Sequence, residues 1–196
     1  MLESLIAWDK ALFLKINTIW THPFLDTVFP IWRETSTWAP LYLIIIAFLF
    51  LKFRWKALPW IISASLLILI SDQLSSHIIK PWVGRVRPCN DAEIGHLARR
   101  LLGYCRESYS FPSSHAVNHF AFATFLILTL KKHWGKKVYL FWLWAFSIAY
   151  GQVYVGIHFP IDITFGAILG TILGCIFATI FTKKIGFKGF KKIKRS

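Results

Sequence analysis

Three short stretches of this sequence carry polar residues that suit phosphate chemistry. Residues 80–88 read KPWVGRVRP, residues 112–115 read PSSH, and residues 151–162 read GQVYVGIHFPID. Lysine offers a compact positive charge and arginine a planar fork of donors, and both suit phosphate oxygens. We therefore expect Lys80 and Arg87 to bind phosphate. The alternative for each is a cation that only extends to the membrane surface.

The second stretch places two serines and a histidine at the start of a helix. Pro112 keeps that helix from extending upstream, and the free amide groups of a first turn bind anions with help from the helix dipole. Ser113 and Ser114 therefore suit a phosphoryl group, although Ser113 also suits the simpler role of an N-cap. His115 follows in the same turn and is able to donate a proton to a leaving alkoxide.

His158 and Asp162 are four residues apart at the start of an apolar run. On a helix, residues at this spacing share one face. The carboxylate can hold one ring nitrogen and leave the other free to attack phosphorus. An aspartate at a helix start also complements the dipole, but inside a membrane span it is costly and usually functional. We interpret His158 as a nucleophile that Asp162 orients.

Further polar residues lie near these stretches. Asn118 and His119 follow His115 by three and four residues, so they either support the site or form hydrogen bonds between helices. Asp72 near the end of an earlier apolar run is a further candidate for support. A rival pattern is also present, because His115 and His119 have the i, i+4 spacing of zinc ligands, which His158 and Asp162 are able to complete.

The elements that position these residues are predicted to be membrane helices. The 196 residues are 56% hydrophobic and only 16% charged, whereas soluble domains carry about 25% charge. Long apolar runs predict about five transmembrane helices in an all-α integral membrane bundle. These spans are 35–51, 57–79, 114–130, 138–157 and 161–181.

The predicted organisation has three parts. Residues 1–34 show apolar residues at helical spacing, broken by charges and prolines, which predicts amphipathic helices at the membrane interface. A sixth span across 11–32 is the alternative. Residues 35–182 form the transmembrane catalytic domain, and residues 183–196 form a basic cytoplasmic tail.

Charge predicts the orientation. The net charge is +14, and with five spans one side carries fourteen Lys and Arg against nine on the other. The richer side is expected in the cytoplasm, so the loop 80–112 and His158 face outward, towards the periplasm if the membrane is a bacterial inner membrane. The basic residues mostly flank apolar runs, which favours contact with anionic headgroups rather than with nucleic acid.

Two of the three cysteines, Cys89 and Cys105, lie in the outward loop. An oxidising exterior favours a disulfide between them, and the alternative is a pair of free thiols in a packed loop. Cys175 falls inside the last span and is expected to be a small core residue.

Together, the three stretches resemble the motifs of the type 2 phosphatidic acid phosphatase superfamily, which also includes soluble haloperoxidases. Lys80 through Arg87 and Pro88 fits the first motif in full, and the second fits with Ser114 in place of Gly. His158 and Asp162 have the spacing of the third motif, but the Ser-Arg pair of that motif falls on Gly151 and Gln152.

The resemblance implies a membrane lipid phosphatase without cofactor, metal or obligate protein partner. In such an enzyme His158 forms a phosphohistidine, Asp162 orients it and His115 protonates the leaving oxygen. The phosphoryl oxygens are then held by Lys80, Arg87, Ser113, Ser114 and Gln152. Because Gln152 lacks the charge of the arginine, Arg85 or Arg106 is expected to compensate.

Several substrates and activities remain open from the sequence. Undecaprenyl diphosphate, phosphatidylglycerol phosphate, phosphatidic acid and the phosphates of lipid A all suit a site at the membrane surface. The rival activities are a lipid phosphotransferase, which passes phosphate to a second headgroup, a zinc-dependent membrane hydrolase, and a non-enzymatic transporter or scaffold.

Overall fold

A computed structural model describes residues 2–187, and within them all regular secondary structure is helical. This confirms the predicted all-α class. The helices are α1 (Leu2–Leu14), α2 (Pro23–Trp32), α3 (Ala39–Phe53), α4 (Leu58–Gln73), α5 (Lys80–Val83), α6 (Ser114–Trp134), α7 (Leu140–Tyr154) and α8 (Pro160–Ile180). Residues 188–196, most of the predicted tail, lie outside the described residues.

The first two predicted spans form one helical hairpin. The chain reverses between α3 and α4 at Arg54, which has a φ of 52°. Beyond α4, a π-helical turn Leu74–Ile79 continues the helix into α5, so that Lys80 lies in the last turn of this continuous helical segment. Within residues 2–187, two helical segments are long and apolar enough to cross a membrane: Thr35–Asn90, with a mean hydropathy of 1.8, and Pro160–Ile185, with 2.1.

Helix α6 is the centre of the bundle, and α8 packs closely along it. Gly166, Gly170 and Gly174 form the contact face of α8 at a spacing of four residues. A Cβ atom on Gly170 would lie 2.3 Å from the Val117 carbonyl oxygen of α6. Small residues let two membrane helices approach this closely, and the approach brings the start of α6 beside the start of α8.

The outer surface of the bundle is strongly apolar, as expected of helices that face lipid. Exposed side chains on this surface include Leu43, Ile44, Ile62, Leu66, Leu69, Leu143, Phe146, Ile168 and Ile172. Cys175 also lies on this surface, so the expectation that it is a core residue is wrong. The cause is helical phase, because the neighbouring Gly174 occupies the buried face of α8.

The N-terminal residues form two helices rather than a sixth span. α1 and its π-helical continuation Lys15–Ile19 stop before His22, whose side chain caps the start of α2. Phe13 and Phe29, one from each helix, are buried against Tyr154 and Phe159 at one end of the bundle. Both helices therefore pack onto the end of the bundle that carries the polar stretches.

Candidate active site

One end of the bundle encloses a cavity of roughly 290 Å³, into which all three polar stretches project side chains. The predicted residues that it brings together are Lys80, Arg87, Ser114, His115 and His158, with Asp72, Asn118 and His119 beside them. Its wall also contains Arg33 and Arg106. Four cationic side chains against one carboxylate make this cavity suited to an anion such as phosphate.

His158 lies in the turn between α7 and α8 and is 2% exposed. Its Nε2 atom is 3.2 Å from Nη1 of Arg87, and its Nδ1 atom is 3.5 Å from Oδ2 of Asp162. Because a guanidinium only donates, Nε2 is the acceptor and the ring proton is on Nδ1, facing Asp162. Burial lowers the pKa of His158 well below its usual value, and the charges of Arg87 and Lys80 lower it further. The Nε2 lone pair therefore accepts from Arg87 in this structure and lies on the side of the ring opposite Asp162.

Asp162 is fully buried, and both of its carboxylate oxygens have partners. The carboxylate accepts hydrogen bonds from the backbone N–H of Phe159 at 2.8 Å, from Nη1 of Arg85 at 2.7 Å and from the hydroxyl of Ser110. The Ser110 oxygen is also 3.4 Å from Nδ1 of His158. A carboxylate held in this way has little freedom to move, so it fixes the imidazole beside it.

Hydrogen bonds to backbone carbonyl groups orient the side chains of Lys80 and Arg87. Arg87 donates to the carbonyl oxygens of Ser108 at 2.7 Å and Ile157 at 2.9 Å, while Lys80 donates to that of Tyr109 at 3.1 Å. Arg87 is 4% and Lys80 7% exposed. Neutral partners leave their charges uncompensated, and buried uncompensated charge favours a bound anion.

The second stretch divides its roles between two serines. Ser113 is the N-cap of α6, and its backbone N–H donates to the Asp162 carbonyl oxygen at 3.1 Å, which joins α6 to α8. Ser114 forms part of the cavity wall, and its hydroxyl oxygen lies 2.8 Å from that of Ser76. His115, in the first turn of α6, also lines the cavity.

The predicted support residues connect α6 to α4. Asn118 donates to Oδ1 of Asp72 at 3.1 Å and accepts from the hydroxyl of Ser71 at 2.6 Å. His119 bonds through Nδ1 to the His115 carbonyl oxygen at 2.7 Å. These bonds hold the turn of α6 that carries His115 against the hairpin.

In the third motif, Gln152 occupies the position of the family arginine and forms a hydrogen bond with Arg33. Gln152 is fully buried, and its Oε1 atom accepts a hydrogen bond from Nε of Arg33 at 3.1 Å. Arg85, one expected substitute for the missing arginine, instead bridges Asp162 and Asp9 and does not line the cavity. Arg106, the other, is an exposed residue of the cavity wall.

The polar residues of the site that are absent from the sequence-based prediction include Asp9, Arg33 and Ser110. Asp9 accepts from Arg85 at 2.6 Å and from the Ile161 backbone N–H at 2.9 Å, so it supports the start of α8. Its charge within an apolar helix was the one signal that pointed to it. Arg33 and Ser110 have no motif of their own, and only the tertiary structure brings Arg33 to the cavity and Ser110 to Asp162 and His158.

The four side chains that the histidine spacing suggested as zinc ligands do not form a metal site in the described residues. Between residues 2 and 187, no three His, Cys, Asp or Glu side chains form a group that could hold a metal ion. Asp162 is occupied by Arg85, Ser110 and a backbone amide, as described above.

The loop that aims Lys80 and Arg87 is fastened at several points. Cys89 and Cys105 are joined in a disulfide, with Cα atoms 6.0 Å apart and a sequence separation of 16. A closed loop of this length stabilises a protein by roughly 3 kcal/mol through restriction of the unfolded chain. Arg99 forms an ion pair with Asp26 of α2 at 2.5 Å, which ties the loop to the N-terminal helices.

A second, apolar pocket of roughly 570 Å³ opens beside the cavity, between α3, α4 and α6. Its wall includes Tyr42, Ile45, Trp60, Ile68 and Phe122. The two spaces share Thr35, Asp72, Asn118 and His119. A charged cavity and an apolar pocket thus meet at one boundary.

Comparison with known proteins gives consistent results. The model of the PAP2 superfamily matches residues 58–185. The lipid A 4'-phosphatase of Bacteroides thetaiotaomicron is 36% identical over 86% of this chain and 75% of its own length. That of Porphyromonas gingivalis is 32% identical over 83% and 68%.

Solved structures agree with the sequence comparisons. The crystal structure of Aquifex aeolicus LpxE superposes with a TM-score of 0.61 at 28% identity, covering 86% of this chain and 93% of that one. The PAP2-type phosphatidylglycerolphosphate phosphatase of Bacillus subtilis gives a TM-score of 0.70 at 25% identity, covering 94% and 90%. The chain therefore belongs to the PAP2 superfamily and is a membrane phosphatase of that type.

Proposed function

We propose that this phosphatase hydrolyses a phosphate monoester of a lipid through a phosphohistidine on His158, with lipid A as the preferred lipid class. The observation that carries the mechanism is the orientation of the His158 ring. Its lone pair faces the cationic cavity, and its other nitrogen faces the buried carboxylate of Asp162.

The reaction proceeds in two displacements. Nε2 of His158 attacks phosphorus, the bond from phosphorus to the lipid oxygen breaks, and His115 gives its proton to that oxygen. His115 then removes a proton from water, which attacks the phosphohistidine and releases inorganic phosphate and free His158. Lys80 and Arg87 stabilise the negative charge on the transferring group in both steps.

Two features support a lipid as the substrate. The apolar pocket lies beside the cavity, so a phosphate in the cavity places an attached hydrocarbon chain between α3, α4 and α6. Two relatives that are more than 30% identical over most of their length carry the name lipid A 4'-phosphatase. The pocket suits a lipid of any of the four classes, and the two relatives favour lipid A over undecaprenyl diphosphate, phosphatidylglycerol phosphate and phosphatidic acid.

The proposed location is the bacterial inner membrane, with the cavity facing the periplasm. The sequence assigns fourteen basic residues to the other side of the membrane and nine to the cavity side, which supports this orientation. The disulfide in the loop that contacts Lys80 and Arg87 suits an oxidising compartment. A reporter fused after Ser196 tests it, and activity of that reporter outside the cytoplasm would reverse the assignment.

The function is tested by phosphate release from a panel of these four lipids. Purified wild type is expected to release free phosphate, and His158→Ala to lose at least about 10⁴-fold in kcat. His133→Ala is the matched control, because His133 is exposed near the C-terminal end of α6. Transfer of phosphate to a second lipid without release would indicate a phosphotransferase. Full activity of His158→Ala would refute the mechanism.

A further inference from the structure

Arg33 is the most unusual cation of this molecule, because it is fully buried without complete pairing. Its Nε atom donates to Oε1 of Gln152 at 3.1 Å, and its Nη1 atom donates to Oε1 of Glu34 at 2.5 Å. Its Nη2 atom is buried and has no hydrogen-bond partner among the described residues. Leaving a buried charged donor unpaired is costly, so this atom marks a position where a ligand supplies the missing acceptor.

Arg33 is a residue of the cavity wall that also contains His115 and His158. The buried Nε2 of Gln152 is likewise without a hydrogen-bond partner in this part of the structure. Two unpaired donors therefore belong to two side chains that are in contact, and one of these, Arg33, lines the cavity with the nucleophile. An anion with several oxygens satisfies both, as a phosphoryl group does.

The residue before Gln152 makes room for Arg33. A Cβ atom on Gly151 would lie 3.0 Å from Cδ1 of Phe29 and 3.6 Å from Cβ of Arg33. Because Gly151 has no side chain, α2 packs directly on α7 and carries the guanidinium to the cavity. Gln152 accepts from this guanidinium, which an arginine at that position is unable to do. Gly151 thus allows α2 to pack closely on α7, and Gln152 forms the hydrogen bond that fixes Arg33 at the end of α2.

We propose that Arg33 is a phosphate-binding residue of this active site, and that Gln152 positions it through Nε. The N-terminal helix thereby supplies the positive charge that the third motif lacks in this chain. Nη2 of Arg33 donates to an oxygen of the phosphoryl group as His158 attacks. This inference rests on the proposed function for its catalytic consequence, but the binding of phosphate is testable separately.

The first test measures the affinity of the detergent-solubilised full chain for inorganic phosphate, by calorimetry, beside kcat/KM for lipid phosphate. Loss of a charge-assisted hydrogen bond is worth about 10-fold to 150-fold in affinity. Arg33→Gln is expected to lose this much in phosphate affinity and at least as much in kcat/KM. Arg54→Gln is the matched control at the opposite, exposed end of the hairpin and is expected to behave as wild type.

Two further variants keep the test decisive. In Gln152→Glu the new carboxylate becomes a second anionic partner of Arg33 beside Glu34, so phosphate affinity is expected to fall at least 10-fold even though the residue size is unchanged. This variant decides the matter if Arg33→Gln does not fold. Adding Gln152→Arg to Arg33→Gln returns a guanidinium to the site and is expected to recover part of the lost affinity.

The inference would be overturned if Arg33→Gln kept wild-type phosphate affinity and kcat/KM. The same result in Gln152→Glu would overturn it if Arg33→Gln does not fold. Either result would leave the proposed function intact. Phosphate binding that depends on Arg33, in a protein that hydrolyses none of the lipids, would support the inference and refute the proposed function. A wild type that neither binds phosphate nor hydrolyses lipid would refute both.

Discussion

Arg85 is expected to be among the most sensitive charged residues of this protein, although it does not line the cavity. Its guanidinium donates to Asp162 at 2.7 Å and to Asp9 at 2.6 Å, and both carboxylates are fully buried. Its side chain also lies over the ring of Phe159, 4.1 Å from the centroid. Arg85→Ala would remove the cation from two buried carboxylates at once.

The magnitude follows from these contacts. Removing one partner of a buried ion pair costs about 3–5 kcal/mol, because the remaining charge is left uncompensated. We expect Arg85→Ala to lower the free energy of unfolding by this amount. Asp9→Asn keeps the size of the side chain and removes one charge, so we expect it to cost about 1.5–3 kcal/mol.

The assay is a double-mutant cycle on unfolding in mixed micelles, with kcat measured on the same preparations. Because Asp9 and Arg85 are in contact, their effects are expected to fall short of additivity by about 0.5–3 kcal/mol. Arg100→Ala is the control, since Arg100 donates to a single carbonyl oxygen, that of Cys89 at 2.8 Å. The reasoning would be refuted if Arg85→Ala lost no more free energy of unfolding than this control. It would also be refuted if the effects of Arg85→Ala and Asp9→Asn were strictly additive.

Two further predictions concern the helix that carries the second motif. His115→Gln is expected to lower kcat on lipid phosphate by about 10²–10⁴-fold, the usual range for a lost general acid. The loss should be much smaller for p-nitrophenyl phosphate, whose leaving group needs no proton, and an equal loss on both substrates would argue against this role. Gly170→Ala places a Cβ atom 2.3 Å from the Val117 carbonyl oxygen, so it is expected to reduce the free energy of unfolding by about 1–3 kcal/mol. Thermal unfolding in detergent measures this loss of stability. An unchanged midpoint would show that the close packing of α6 on α8 does not stabilise the protein.

The parts of the site that the sequence predicts are those with local spacing. Lys80 and Arg87 lie on one short segment, and His158 and Asp162 lie four residues apart, so proximity along the chain keeps each pair together. The helical spacing expected for His158 and Asp162 is not the reason, because His158 lies in the turn before α8. The helical class and the approximate spans follow from the apolar runs, because a lipid environment permits few other backbone structures. The structure confirms the class, and each of the three motifs reaches one end of the bundle.

The residues that the sequence does not reveal are those supplied by distant elements. Arg33 is 119 residues from Gln152, and Asp9 is 76 residues from Arg85. No periodicity in one segment specifies such a pairing, which depends on how α1 and α2 pack on α7 and α8. The same limit explains Cys175, because a uniformly apolar helix does not show which of its faces meets lipid and which meets protein.

The contact of α1 with the start of α8 has a consequence for biosynthesis. Asp9 leaves the ribosome long before its partners Arg85 and the Ile161 amide. Until the start of α8 emerges, the carboxylate therefore lacks the Ile161 contact that it has in the folded protein. Closure of the catalytic centre is then a late event, so an incomplete nascent chain carries the nucleophile's loop in an unassembled and inactive form.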